Sequence, residues 1–170
     1  MIVVREITQD DWEQMRDVRL AALAEAPSAF GSSYAREVAF TEEQWRGRIS
    51  ERSATFFARV DSADSAPVAA APVAAAPAGL AGVYVEDGTA NLVSMWVRPS
   101  ARGLGVGKAL VEAAAAWAKA RGFAALFLWV TEANTSARRL YDQCGFTPTG
   151  ERQPLPSDPA LTEIWMSRTL

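Results

Sequence analysis

The sequence has no histidine and one cysteine among its 170 residues. Without histidine there is no Ser-His-Asp triad, no Cys-His pair, no imidazole base and no histidine-ligated zinc. Any chemistry must therefore use carboxylates, Tyr, Ser, Lys, backbone groups or water, and no metal cluster is visible in the sequence. The lone Cys144 cannot form an internal disulfide, which suits a reducing compartment; followed by Gly145 and Phe146, it reads as a small packed hydrophobe. No apolar run reaches the length of a membrane span and no signal-peptide pattern precedes the first strand. The expectation is a soluble, cytoplasmic protein with no membrane partner. A formal charge of −3 lacks the basic excess of a nucleic-acid binder.

The length suffices for one domain with a sizeable core, expected over 1–170. "IVVREI" (Ile2 to Ile7) alternates as a strand, and "TQDDW" opens a helix with Trp12, Met15, Val18, Ala22 and Leu23 on one stripe, ended by Pro27. "PSAFGSSY" reads as a loop. Thr41 and Gln44 form a capping box before a short helix through Trp45 and Ile49, and "ATFFARV" (Ala54 to Val60) is a strand. An Ala/Pro-rich stretch in which "APVAA" occurs twice follows. Its prolines interrupt helix and ladder alike, so a mobile loop is expected at 62–78. "LAGVYVE", the turn Asp87-Gly88 and "ANLVSMWV" form a hairpin. A helix with Val106, Leu110, Ala113 and Trp117 on one face runs to Gly122. "FAALFLWV" (Phe123 to Val130) has the apolar run of a buried parallel strand. "TSARRLYDQCG" makes a short helix, and two strands close the chain, a weaker one at Phe146 to Glu151 and then "LTEIWMSRTL". The order is a three-layer α/β pattern without the repetition of a doubly wound fold.

Between the hairpin and the long helix lies "RPSARGLGVGKAL", Arg98 to Leu110, with three glycines at alternate positions. It is not a P-loop, because the first glycine of that motif falls on Arg102 and its magnesium-binding hydroxyl on Ala109. Nor is it a dinucleotide fingerprint, whose last glycine falls on Lys108 or Leu110 in the two available frames. Successive N–H groups at a helix N-terminus, uncovered by side chains, nevertheless favour an anion.

The segment from Leu92 to Phe146 resembles the GNAT superfamily of acetyl-coenzyme A-dependent N-acetyltransferases. Arg102-Gly-Leu-Gly105-Val-Gly107 matches the family's Arg/Gln-x-x-Gly-x-Gly/Ala, and Asn134, Ala137, Tyr141, Gly145 and Phe146 match a second block, Asn-x-x-Ala-x-x-x-Tyr-x-x-x-Gly-Phe. The resemblance implies a mixed, mostly antiparallel central sheet, helices on both faces, and a splayed parallel strand pair forming the cofactor cleft. It also implies acetyl-coenzyme A as acetyl donor. Met95, Trp96 and Val97 would pair with the pantetheine arm as an added strand does. Arg102, Gly103, Leu104, Gly105, Val106, Gly107 and Lys108 would hold the pyrophosphate. Asn134, beside Ala137, would bond the pantetheine amide, and Arg138 or Arg139 the 3′-phosphate. Tyr141 would bond the coenzyme sulfur and protonate the leaving thiolate.

The implied reaction is direct attack of a primary amine on the thioester, with a backbone N–H near Val97 polarising the carbonyl oxygen. The sequence departs from clearer relatives at the general base. Where some carry a glutamate, the strands read "ANLVS" and "LFLWV", with Trp129 at one such place. Glu37, Glu86, Glu132 and Glu163 remain, with water relayed by a carboxylate as the expectation. The acceptor is expected against Glu25 to Val38, with Phe30, Ser33 and Tyr34 as lining. Its identity stays open among small amines, amino acids, antibiotics and protein N-termini, and so does a homodimer. A non-catalytic acyl-coenzyme A-binding module is the alternative, and a nucleotide-phosphate binder lacks a base-reading signature.

Overall fold

The computed structural model describes residues 1–60 and 76–170, so most of the loop expected at 62–78 lies outside the described residues. The end of that segment belongs to the sheet: Ala78 is buried, its N–H donates to Ala58 and its carbonyl accepts from Arg98 N–H, both at 2.8 Å.

Seven strands form one sheet in the order β1-β2-β3-β4-β5-β7-β6. They are β1 (Ile2–Glu6), β2 (Ser53–Val60), β3 (Gly79–Glu86), β4 (Thr89–Val97), β5 (Ala125–Thr131), β6 (Thr147–Leu155) and β7 (Asp158–Thr169). All neighbours are antiparallel except β4 and β5, which run parallel and pair only at Ala90↔Leu126 and Asn91↔Phe127. The helices are α1 (Trp12–Glu25), α2 (Tyr34–Glu37), α3 (Glu42–Gly47), α4 (Val106–Ala120) and α5 (Thr135–Gln143). They cover both faces, giving a mixed three-layer α/β fold. No helix among the described residues is long and apolar enough to cross a membrane.

Local chemistry explains the boundaries. Asp87 and Gly88 both take positive φ, 48° and 75°, the geometry of the tight hairpin turn expected there. Thr41 and Gln44 close the capping box at α3. Two short elements were not legible. In the segment read as a loop, Pro27–Ala29 makes a 3-10 turn and Ser33 caps one turn of helix, α2, by accepting the Arg36 N–H. The strand expected at Phe146 to Glu151 runs on to Leu155. β5 is apolar as expected; Leu126, Leu128, Val130 and Thr131 are buried, whereas Phe127 and Trp129 are half-buried, and Trp129 borders a cavity.

Two cores lie on opposite faces. Val106, Leu110, Val111, Ala114 and Ala118 of α4 pack with Leu126, Leu128 and Val130 of β5 and with Tyr141 of α5. Met15, Val18, Ala22 and Leu23 of α1 pack with Phe30, Trp45, Phe57, Leu80 and Trp96. On the α1 side Arg19, 6% exposed, also lies within the apolar stripe. Its guanidinium grips Glu37 through two 2.9 Å bonds and donates to Ser94 Oγ at 3.3 Å. Arg48 meets the same carboxylate at 3.0 Å.

Burial alone would raise the pKa of Glu37, but Arg19 and then Arg48 together hold it below the usual carboxylate value. This ion pair therefore contributes stability above the unfolded-state pKa, about 4.3, and that contribution is lost as pH falls through the lower folded value. Replacing Glu37 by Gln leaves two guanidinium groups without their shared counter-ion. Urea unfolding at neutral pH is expected to show a loss of about 3–5 kcal/mol; a loss below about 1 kcal/mol would mean that the cluster is open to water.

Candidate active site

The site begins where β4 leaves β5. Leu80 pairs with Trp96 but Gly82 pairs with Val93, so β4 carries one extra residue at a bulge, and Ser94 there has φ 57°. A bulge reverses the alternation of side chains. Leu92 faces the α4 core, whereas Trp96, an even number of residues on, faces the α1 core. Met95 is turned back towards α4. Beyond Asn91, β4 and β5 share no pairing, which leaves the β5-facing edge of Met95, Trp96 and Val97 as an open strand edge inside the molecule.

The glycine loop lies at the end of this edge. Gly103 and Gly105 have φ 79° and 89°, where an L side chain is strained, and Gly105 is the residue before α4. Gly107 is closely packed, since a Cβ there would stand 2.9 Å from Leu140 Cδ2 and 3.4 Å from Met95 Cε, tips of side chains that can shift to make room. Gly103 and Gly105 thus have a conformational requirement for glycine. The first-turn N–H groups of α4, at Val106, Gly107 and Lys108, have no acceptor within the helix. Lys108 and Leu104 are exposed. Arg102 is half-exposed; its Nε donates to the Val97 carbonyl at 3.0 Å and its Nη2 to Glu25 at 2.7 Å. Glu25 also accepts from Trp96 Nε1 at 3.0 Å. Hydrogen bonds from Arg102 and then Trp96 lower the Glu25 pKa.

Across the opening stands α5. Asn134 Oδ1 caps it by accepting the Ala137 N–H at 3.1 Å, and Ala137 packs on the α4 core. Arg138 donates to the Glu132 carbonyl at 3.2 Å, while Arg139 is exposed. Tyr141 lies in the α4 core, 6% exposed, edge-on to Phe146 with ring centroids 5.7 Å apart. Its hydroxyl makes no hydrogen bond to the described residues. Burial pushes its pKa far above the usual phenol value, so it stays protonated.

The other face of the sheet opens into a cavity of about 780 Å³ between α1–α3 and strands β3, β4, β5 and β7. Phe30 lines it, whereas Ser33 caps α2 and Tyr34 is 45% exposed, and neither belongs to the lining. The segment after α1 is tied to the far half of the sheet, because Thr131 Oγ1 donates to the Ser28 carbonyl at 2.7 Å and the Ser157 hydroxyl donates to the Phe30 carbonyl. Trp129 and Trp165 face each other across β5 and β7 with centroids 4.7 Å apart, and Glu163 is on the same face, opposite Thr131.

The four carboxylates proposed from sequence separate clearly. Glu37 is bound by two arginines, Glu132 is paired with Arg152 at 2.5 Å, and Glu86 is exposed at the end of β3. Glu163 is 6% exposed, and burial raises its pKa against the opposing effect of a 2.6 Å hydrogen bond from Gln153. Sequence reading missed Gln153, Trp165, Ser94 and the Arg19–Arg48 pair. Arg19 had a signal, a cation four residues after Met15 on the apolar stripe; the others are set by register.

A seven-stranded mixed sheet parted at its parallel pair, with a glycine-opened helix at the gap, is the build of an acyltransferase. Residues 9–146 match the Acetyltransferase (GNAT) family, and the chain belongs to it. A mycothiol acetyltransferase from Thermobispora bispora is 49% identical over 51 residues, which are 30% of this chain and 17% of that protein; the chain thus matches well under a fifth of that relative's length. A GCN5-related N-acetyltransferase from Kribbella flavida superposes with a TM-score of 0.69 at 27% identity, covering 99% of this chain and 98% of that one. The PaiA N-acetyltransferase of Thermoplasma acidophilum, solved in complex with coenzyme A, has the same fold with a TM-score of 0.70 at 16% identity, covering 100% and 99%.

The positive φ at Gly105 yields a direct test. A Cβ there would meet only Ile2 Cδ1 at 3.5 Å, an ordinary contact, so the cost of Gly105→Ala is conformational, about 1–2 kcal/mol. Gly105→Asn, better tolerated at positive φ, should retain most of that stability. Equal melting temperatures for wild type and Gly105→Ala would contradict the left-handed backbone.

Proposed function

We propose that this chain is a single-domain N-acetyltransferase that moves the acetyl group of acetyl-coenzyme A to a primary amine by direct attack. The observation that carries the reading is the placement of two burial-shifted groups, Tyr141 and Glu163, on opposite faces of a sheet parted between β4 and β5. The single cysteine supports a reducing compartment such as the cytoplasm.

Several features fit the donor. The open edge of Met95, Trp96 and Val97 suits an extended amide-bearing chain. The free N–H groups of Val106, Gly107 and Lys108, the helix dipole, and the backbone of Gly103, Leu104 and Gly105 suit a pyrophosphate. Arg102 adds charge at that loop, Arg138 adds it near the α5 end, and Asn134 has a side-chain amide at the cleft. When bound, acetyl-coenzyme A supplies an acetyl group activated as a thioester.

The protein's own part is proton movement and positioning. An amine entering from the cavity arrives largely protonated, and Glu163, directly or through water, takes the proton that must leave before attack. Its raised pKa brings it closer to the amine than an ordinary carboxylate. On the other face, Tyr141 keeps its proton and offers an uncommitted hydroxyl, suited to stabilise the departing thiolate by donating a hydrogen bond to the sulfur; the thiolate, a weaker base than the Tyr141 phenolate, leaves without taking that proton for good. The Val97 neighbourhood offers backbone N–H to the carbonyl oxygen.

Release of free thiol from acetyl-coenzyme A, followed against a panel of amines and peptides, tests the reading. Tyr141→Phe keeps the ring and should fold and bind coenzyme A, yet its kcat should fall by about ten- to a thousandfold, up to the range for a lost proton donor. Wild-type turnover in a stable variant would make Tyr141 a core aromatic only.

The base has a pH signature. Burial lifts Glu163 above the ordinary value of about 4.3, so kcat/KM should rise with pH along a limb displaced upward. Gln153 donates to the ionised carboxylate, and Gln153→Ala should move that limb to still higher pH. The amine's own titration is common to both enzymes and cancels in the comparison. An unmoved limb would assign the base elsewhere.

A further inference from the structure

The charged groups lining the cavity are three arginines, Arg19, Arg36 and Arg48, and three glutamates, Glu37, Glu86 and Glu163. They are segregated. All three arginines and Glu37 belong to the helical wall of α1, α2 and the end of α3, whereas Glu86 and Glu163 belong to the sheet. One carboxylate among three guanidinium groups leaves the helical wall with two surplus positive charges, and the sheet wall carries the opposite sign.

The surplus is made of donors without acceptors. Arg19 is used up by Glu37 and Ser94. Arg48 spends one nitrogen on Glu37 and lies over the rings of Trp45 and Phe40, 5.4 and 6.0 Å from their centroids, but its other nitrogens have no hydrogen-bond acceptor among the described residues, and neither has the Arg36 guanidinium. Trp45 also lines the cavity; it is 1% exposed, and its indole N–H is enclosed with no acceptor. Only the Trp45 donor is enclosed; Arg36 is exposed and the Arg48 side chain is 31% exposed, so both guanidinium groups are open to a solute that enters the cavity. Burial, and then the charges of Arg19 and Arg36, hold Arg48 below the usual guanidinium value in spite of Glu37. What the wall lacks is an anion.

We propose that the amine acceptor also carries a carboxylate, as an α-amino acid does, with the carboxylate held on the Arg36–Arg48 side of the cavity and the amine on the Glu163 side. This deepens, and rests on, the acetyl-transfer reading above. A polar cavity with opposed walls binds a zwitterion in one orientation and so sets the amine towards the strand opening. A polyamine meets like charge at the helical wall, and an amine without a carboxylate leaves the surplus positive charge of that wall to solvent. A guanidinium is suited to the task because its planar fork matches a carboxylate.

The test compares the common L-amino acids with their α-carboxamides, which keep the amine and side chain and remove the negative charge. With acetyl-coenzyme A saturating, the free acids should be used with kcat/KM about 10- to 100-fold above the amides, the range of one charge-assisted hydrogen bond. In Arg36→Gln that preference should shrink towards unity, chiefly through a higher KM for the acids. Amides, spermidine or tyramine acetylated as well as the acids would overturn the carboxylate subsite while leaving the acetyltransferase reading intact. If no amine releases thiol, the acetyltransferase reading fails, and the subsite is decided by calorimetric titration in the presence of coenzyme A. There, binding of the acids but not the amides upholds it, and equal or absent binding of both overturns it.

Discussion

β4 is bonded along its length to β3 and β5 to β7, and neither can serve the other beyond Asn91 and Phe127. The bulge at Ser94 bends β4 out of line with its parallel neighbour, whereas β5 keeps its antiparallel register with β7 as far as Thr131. The sheet therefore parts within one layer, and an interior strand acquires a free edge. Unpaired backbone inside a protein is costly, so the opening persists only because both flanking half-sheets are satisfied on their other sides. Everything assigned to donor and acceptor follows from that parting: α4 starts at its end, α5 stands across it, and the cavity lies behind it.

The helical wall of the cavity is held by charge rather than by long helices. α2 and α3 are too short to be stable on their own, and α1 alone spans the face. Glu37, 1% exposed, joins α1 to α2 through Arg19 and to the end of α3 through Arg48, and Arg19 reaches on to the bulge at Ser94. The same cluster that fixes the wall gives it its sign. Phe30 lies under Arg19, 4.6 Å from guanidinium carbon to ring centroid, which completes the packing of a buried cation by an aromatic face.

What the sequence disclosed and what it hid divide along one line. Elements written in local code were legible: the capping box at Thr41 and Gln44, the Asp87-Gly88 turn, the glycines before α4, and the helix ends at Gly122 and Gly145. The second motif block placed Asn134 and Tyr141 on one helix, and both stand where its spacing puts them, although their roles rest on proposal. Pairings between distant strands were not legible. Glu163 was one of four equal carboxylates until the register of β5, β6 and β7 set it beside Gln153 and opposite Thr131. Trp165, one residue of the closing strand, is set beside Trp129 by the same register. Of Phe30, Ser33 and Tyr34, Phe30 lines the cavity, whereas Ser33 caps α2 and Tyr34 is exposed, a difference set by the one turn of helix that the segment hides.

The two cores have a bearing on how such a chain can change. The α4 core and the α1 core are separated by the sheet, and substitutions without shared partners tend to combine additively. The wall around Phe30 and Phe40 can thus vary without disturbing the packing of Val106, Leu110 and Tyr141, although it shares its cavity with Glu163. Trp96 marks the limit of that freedom. Its backbone belongs to the parted strand, its ring to the α1 core and its indole N–H to Glu25, which also holds Arg102, so variation at this residue is felt on both faces at once.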